Sequence, residues 1–424
     1  MKVLLVGGGG REHALAWAMA KSPKLTKLYA APGNAGIAAC AECLEIGAED
    51  LDAICAAVED LKIEFIVVGP EAPLVDGLAD RIEAMGVPVF GPSAAAAEIE
   101  GSKGMMKDLL AKYGIPTAEY ERFDEPDAAK EYIRIKNHPV VVKADGLAAG
   151  KGVILSHNVT EAYAAVDQIM IEEAFGDAGA EIVIEEFLKG EEASFFALCD
   201  GERAIPLAGA QDHKQVHDGD HGPNTGGMGA YTPAPVLDEA MEKRIMDEIV
   251  TPTVEAMKKE GKPYKGVLFA GLMIGEDGPK VIEFNCRFGD PECQPIMARL
   301  QSDALEMLLA AARGELGKIK LKWDPRTALT VVMAANGYPG NYRKGTEIKG
   351  LDDADALDDV IVFHAGTASD GNGRMLANGG RVLGVTALGD TVEAAQKRAY
   401  EAVDAIDWPQ GFCRRDIGWR AVGR

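Results

Sequence analysis

The chain has 424 residues, 47% of them hydrophobic, enough apolar side chain for several separate cores. Asp and Glu outnumber Lys and Arg by 67 to 44, so at a net charge of -23 no global field draws the chain to nucleic acid or to an anionic membrane surface. No apolar run approaches the roughly 20 residues that span a bilayer, and the start MKVLLVGGGGREH breaks into glycines too early for a signal peptide, so a cytoplasmic protein is expected, with no nucleic-acid or membrane partner.

In chain order, KVLLVGGGGREHALAWAMA reads as a buried strand, a glycine turn and a helix, and strand signals recur at KLYAAP, EFIVVGP and VPVFGP. Helical stretches at Asp50 to Asp60 and Leu74 to Met85 lie between them, an alternation that predicts a parallel sheet with crossover helices ending near Ser93. A helix follows from about Ser102, its N-cap, and GIPTAEYERF opens a region of mixed strands and helices reaching about Leu198. The stretch GDHGPNTGGMGAYTPAP, 219 to 235, is too long and structureless for a simple turn and reads as a functional loop. Beyond it, VLFAGLMIGEDGPKVIEFNCRFGDPE reads as two strands around a Gly turn, and SDALEMLLAAARGEL as an amphipathic helix. After Trp323 the pattern restarts with ALTVVMAANGYPG, DVIVFHAGT and RVLGVTALG and ends in the helix TVEAAQKRAYEAVDAI, a separate C-terminal α+β unit.

Two glycine-rich turns tempt a nucleotide reading. In VVVKADGLAAGKGVIL only three residues separate Gly146 from Gly150, Gly152 stands where a Walker loop needs Ser or Thr, and Val153 and Ile154 follow where a helix would begin. That is strand, turn, strand: either a hairpin closing the Gly150, Lys151 and Gly152 backbone and lysine over phosphates, or a plain surface hairpin. The N-terminal turn fails the dinucleotide fingerprint at Glu12 in one frame and at His13 in the other, and KLYAAPGN ends in no acidic residue for a ribose, which disfavours NAD. Four glycines and Arg11 at a helix start still suit an anion; a packing turn is the alternative.

EFNCRFGDPE carries more chemistry. Alternation along a strand puts Glu283, Asn285 and Arg287 on one face, two oxygen ligands suited to Mg²⁺ and a guanidinium able to neutralise a transferring phosphoryl group. Lys103 and Lys107 lie four apart on one helix face, and Lys143 ends the VVVK strand. In EEFLKGEE, the Glu185 carboxylate and Leu188 backbone can meet an adenine edge and Glu192 can meet ribose hydroxyls, although acidic runs usually face water. His213, His217 and His221 have zinc-like spacing, but Gly219 and Gly222 argue for a loop in which Asp212 and Lys214 suit polar substrate contacts. The seven scattered cysteines, with one CxxC at Cys40 and Cys43, fit reduced thiols better than disulfides or zinc.

KADGLAAGKGV, EEFLKGEEAS, QDHKQV, GPNTGGMGAY and VIEFNCRFGDPE, in that order, resemble the signature series of the phosphoribosylamine–glycine ligase family, and GGGGREHALAW, APGNAG, VGPEAPLV, NGGRVLGVTALG and CRRDIGWRA extend the likeness over the whole chain. The resemblance implies a multidomain α/β and α+β protein: a Rossmann-like pre-ATP-grasp domain over 1–101, an ATP-grasp core over 102–324 with a lid lobe at about 120–190, and a small C-terminal α+β domain over 325–424. The glycine hairpin is then a lid over ATP. Lys107, Lys143, Gly150, Lys151 and Gly152 contact the nucleotide phosphates, Glu185, Glu186 and Leu188 line the adenine pocket, and Glu192 holds the ribose. Glu283 and Asn285 hold Mg²⁺ or Mn²⁺, although GLMI, on the preceding strand, lacks the acidic ligand many ATP-grasp enzymes place there. Arg287 and Lys143 are the catalytic charges. Gly9, Gly10, Arg11, Asn34, Asp212, Lys214, Asn224, Thr225, Gly226, Gly227 and Asp290 face the substrates.

The implied reaction joins glycine to 5-phosphoribosylamine through glycyl phosphate at the expense of ATP, in purine synthesis, by a monomer. Another ATP-grasp ligase with a different amine is the alternative. A dinucleotide oxidoreductase is opposed by the failed fingerprint, and a non-catalytic nucleotide-binding module by Glu283, Asn285 and Arg287.

Overall fold

The computed structural model describes residues 1–136, 138–147 and 152–424. At the N-terminus, Lys2–Gly7, an apolar run with both faces covered, lies at the centre of a five-stranded sheet. Lys27–Pro32 and Phe65–Val68 flank it in parallel, with Glu42–Cys43 and Val89–Phe90 outermost. Helices Gly10–Met19 and Leu51–Leu61 are among the crossovers, as parallel pairing requires. The helical stretch expected as one piece from Leu74 to Met85 is two helices, Ala72–Val75 and Leu78–Ala84. Gly77 divides them at φ +87, a left-handed turn open to glycine.

Ser102 caps the helix Lys103–Tyr113, its hydroxyl accepting the Met105 N–H at 3.0 Å. A four-stranded antiparallel sheet follows, in the order Tyr120–Phe123, Ile182–Glu186, Val140–Ala144, Val153–Ser156. Helices Pro126–Ile135 and Val159–Val166 cover it through a core of its own, built from residues such as Ile133, Val142, Val166 and Ile184. Val140–Ala144 and Val153–Ser156 thus pair antiparallel as a hairpin, and Gly150 and Lys151, between them in sequence, lie outside the described residues.

The largest sheet has nine strands and is antiparallel. Among the described residues it runs from Gly278–Asn285 through Lys265–Gly275, Glu191–Asp200, Ala204–Asp212 and Gly229–Thr232 into Thr327–Ala335, Arg381–Gly389 and Val360–His364, with the ninth strand, Gly411–Phe412, pairing Thr327–Ala335 off this path. The stretch 219–235, expected as an irregular loop, is ordered into a hairpin strand, His221–Asn224, and the sheet strand Gly229–Thr232. Its glycines hide these strands from composition rules; tertiary pairing with Thr327–Ala335 orders the second. That pairing also makes the sheet continuous across 324/325, where the C-terminal unit was expected to separate. The helix Val392–Ala405, capped by Thr391, buries Ala395, Ala399, Ala402 and Val403, a spacing of three and four that lays one stripe on the sheet.

Candidate active site

Two strand ends and one helix deliver the first group of charges. Lys107, inside the helix Lys103–Tyr113, and Lys143, near the end of Val140–Ala144, converge on Glu185, whose two carboxylate oxygens stand 2.8 Å from the two ammonium groups. All three side chains are buried. Lys107 also donates to Thr117 Oγ1 at 2.7 Å, and Lys143 to the Ile282 carbonyl at 3.2 Å. Burial pushes the Lys107 ammonium down to about 8; Glu185 opposes this and Lys143 adds to it. Glu185 was expected to offer its carboxylate to adenine, but here both oxygens face lysines, so its side chain sets the ammonium groups. Glu186 is exposed, accepts the Glu119 N–H at 3.1 Å and lies 3.7 Å from Lys280; Leu188 is half-buried.

The strand Gly278–Asn285 supplies the second group. Phe284 enters the apolar core, and Glu283 and Asn285 lie on the opposite face. Directly across from Glu283 is Gly271, where an added Cβ would sit 3.1 Å from Glu283 Cγ, so the neighbouring strand yields room in place of a second acidic ligand. Burial acts against the Glu283 charge, yet Lys214, Lys143, Lys103 and Arg287 together hold its carboxyl below the usual range. Among the described residues no three His, Cys, Asp or Glu side chains are grouped to hold a metal. One ionised carboxylate beside an amide oxygen still fits Mg²⁺ or Mn²⁺, ions that take their remaining ligands from water and phosphate oxygens. The three histidines do not converge: His217 and His221 face each other across the hairpin, while His213 is buried and accepts the Gly418 N–H at 3.1 Å.

Arg287 follows the strand and is held by two carboxylates of the N-terminal region, Glu71 and Glu100, each at 3.1 Å. Sequence reasoning missed both: they stand 216 and 187 positions from Arg287, so only the packed chain brings them near. Glu292 was missed too. It is buried and accepts from Ser194 Oγ at 3.1 Å, and burial together with Asp212 raises its carboxyl to about 7. The acidic end of EFNCRFGDPE was the available signal. Burial, with Glu192 adding, also raises Asp212, while Lys214 opposes. Lys214 lies 3.4 Å from Glu192, the expected ribose contact. Desolvation of Lys214 is outweighed by Glu192, Asp212 and Glu283, which keep it protonated.

The glycine turn before Gly10–Met19 is less free than expected for an anion site, because the protein's own carboxylates take its donors. Glu12 accepts the Gly9 N–H at 2.6 Å, and Asp290 accepts the Arg11 N–H at 3.3 Å. The Arg11 guanidinium meets Glu12 at 2.6 Å and the Phe288 carbonyl at 3.0 Å. Asn34 spends its amide on backbone, donating to Gly8 and His364 carbonyls at 2.9 and 2.8 Å and accepting from the N–H groups of Gly36 and Ile37. Asn34 thus shapes this turn and has no free donor to offer a phosphate. Of the NTGG stretch, Asn224 accepts from Gln215 Nε2 at 3.2 Å, Thr225 Oγ1 donates to the Lys214 carbonyl at 2.8 Å, Gly226 sits against Arg381 and Gly227 against the turn that carries Asp290. Gly152 pairs through its carbonyl with the Ala144 N–H at 2.8 Å.

Comparison with known families agrees with this architecture over the length of the chain. Residues 1–100 match the N domain of phosphoribosylglycinamide synthetase, 101–293 its ATP-grasp (A) domain and 328–420 its C domain. A phosphoribosylamine–glycine ligase of Brucella melitensis biotype 1 is 59% identical over 424 residues, covering 100% of this chain and 99% of the relative. The crystal structure of the Thermotoga maritima phosphoribosylamine–glycine ligase superposes with a TM-score of 0.84 at 34% identity, over 98% of this chain and 100% of that one. The biotin carboxylase domain of the Hydrogenobacter thermophilus 2-oxoglutarate carboxylase, solved with MgADP, shares the fold at a TM-score of 0.76 and 16% identity, over 97% of this chain and 91% of its own. A chain matched in all three domains and at this identity belongs to the phosphoribosylglycinamide synthetase family of ATP-grasp ligases.

Proposed function

We propose that this chain joins glycine to 5-phosphoribosylamine at the expense of ATP, giving glycinamide ribonucleotide, ADP and phosphate. The observation that carries the reading is Glu283: a half-buried carboxylate held ionised among Lys214, Lys143, Lys103 and Arg287, beside an amide oxygen, where the surrounding cations match phosphate groups. The relatives' names and the MgADP held by a fold neighbour support the same substrates.

A glycine carboxylate oxygen attacks the γ-phosphorus and ADP leaves; the amine then attacks the acyl carbon of glycyl phosphate, loses a proton, and phosphate leaves. No protein nucleophile is needed, so positioning and charge supply the rate. Lys107 and Lys143, preset by Glu185, hold phosphate oxygens, and the hairpin residues Gly150, Lys151 and Gly152 close over them. The backbone from Glu185 to Leu188 meets adenine, and Glu192 meets the ribose. Glu283 and Asn285 would hold Mg²⁺ or Mn²⁺, which when bound neutralises phosphoryl charge. Arg287 faces the transferring group, with Asp212, Lys214, the 224–227 loop and the Gly9 to Arg11 turn on the side of the amine substrate. Asn34 and Asp290 keep that turn in place. The protein works as a cytoplasmic monomer on small molecules.

ADP release is measured with glycine and freshly generated phosphoribosylamine each present or omitted. Release that needs both, with glycinamide ribonucleotide formed in step, is expected; full release with some other amine in place of phosphoribosylamine would refute the substrate assignment.

A further inference from the structure

Arg381 opens the strand Arg381–Gly389 in the C-terminal part of the large sheet and has no part in the roles given above. Its Nη1 donates to three backbone carbonyls, Gly226 at 2.7 Å, Gly227 at 3.2 Å and Asp290 at 2.6 Å, and its Nη2 lies 3.6 Å from Asp290 Oδ1. One planar cation thus ties the 224–227 loop to the turn after Arg287. The fit is close on every side. A Cβ on Gly226 would meet the Arg381 guanidinium at 3.0 Å, and one on Gly227 would meet Pro291 Cδ at 2.4 Å. Asp290 in turn accepts from the Arg11 N–H and from Gln294 Nε2 at 2.9 Å, and a Cβ on Gly10 would meet that same nitrogen at 2.5 Å. Arg381 therefore joins the 224–227 loop to the Asp290 turn, and the Asp290 side chain in turn joins that turn to the glycine turn. None of these contacts reaches the Lys107, Lys143 and Glu185 cluster.

We propose that Arg381 is a positioning residue for the amine substrate: it holds the 224–227 loop and the Asp290 turn against the Gly10 helix start, and it does so without acting on the nucleotide. This rests on the reading that these segments face the amine. A lysine in its place keeps the charge but lacks the second nitrogen that faces Asp290 Oδ1 while the first meets the carbonyls.

The test uses the full-length Arg381→Lys and Arg381→Ala proteins. Three quantities are read: KM for phosphoribosylamine from ADP release, MgATP affinity by calorimetry, and melting temperature. A rise of about tenfold or more in KM for Arg381→Lys, with MgATP affinity within about twofold of the parent, is the expected result; about 1.4 kcal/mol of misplacement corresponds to that factor. An unchanged KM would overturn the proposal. So would a parallel loss of MgATP affinity, or failure of both variants to fold, since either makes Arg381 a general structural tie. If the parent turns over only with a different amine, the substrate reading fails, and the same KM comparison with that amine decides the role of Arg381.

Discussion

Arg287 is bound on both sides by carboxylates, which couples chemistry to stability at one residue. Replacing it by alanine removes the charge proposed to face the phosphoryl group and leaves the half-buried Glu71 and Glu100 without their cation. The expected outcome is a loss of turnover of a hundredfold or more together with about 3–5 kcal/mol of stability, read from steady-state rates and urea midpoints. The sequence alone suggests a variant that is slow without unfolding; the two carboxylates add a loss of stability to that expectation, and a slow variant as stable as the parent would show that they are solvated and not dependent on the guanidinium. Glu292 carries a pH dependence. Its carboxyl titrates at about 7 when folded, against about 4.3 when unfolded, so the folded state holds the proton more tightly. The resulting stability is present below about pH 4 and is lost as pH rises towards 7 and above. Melting curves should therefore show Glu292→Gln gaining on the parent between about pH 4 and 7, by up to about 1.4 kcal/mol per pH unit. A constant difference over that range would mean that Glu292 is not held protonated.

Among the elements, the last dozen residues matter more than their terminal place suggests. Arg414, fully buried, binds Asp416 and Asp220 and donates to the Gln215 carbonyl, and Arg420 reaches the Asp212 carbonyl at 3.2 Å. The C-terminal segment thus clamps the hairpin between Asp212, Lys214 and the 224–227 loop. Arg414→Leu should cost on the order of 3 kcal/mol, because it leaves Asp416 without its cation and Asp220 with Arg420 alone, and should raise KM for the amine more than for ATP. Equal KM values for parent and variant would show that the clamp does not reach the site. The helix Gly10–Met19 makes a similar point at its first residue. A methyl group at Gly10 meets Gln294 Nε2 at 2.5 Å, so Gly10→Ala should be destabilised by about 1–3 kcal/mol even though alanine is the better helix former. A melting temperature at or above the parent's would mean that Gln294 swings aside freely.

At the scale of the whole molecule, nucleotide and metal should stabilise the folded protein only in combination with its own donors. MgATP at a hundred times its Kd should add about 2.7 kcal/mol. In a Glu283→Gln, Asn285→Ala double variant, the increment due to Mg²⁺ should vanish while ATP alone still binds, as read from thermal shifts with and without the ion. An intact Mg²⁺ increment would place the metal on other ligands. The lobe around Val140–Ala144 has its own core and joins the rest through Lys107, Lys143 and Glu185, so the site spans two packed bodies and not one rigid wall.

Much of this was legible along the chain, because local patterns act locally. Parallel strands were visible as apolar runs between helices, one cap as Ser102, the hairpin as β-branched residues about a glycine turn, and the family as a series of short motifs in fixed order. The alternation of Glu283, Phe284 and Asn285 followed from the period of a strand. What the sequence could not decide were pairings that close long loops: Arg287 with Glu71 and Glu100, Arg381 with the 224–227 loop, Arg414 with Asp220, and Glu185 with two lysines from different elements. It also could not show that a glycine-rich stretch becomes a strand, since Gly229–Thr232 is ordered by its neighbours in the sheet and not by its own composition. Local propensity and spacing are properties of the chain, whereas the partner of a buried charge is settled only when distant segments pack and exclude water.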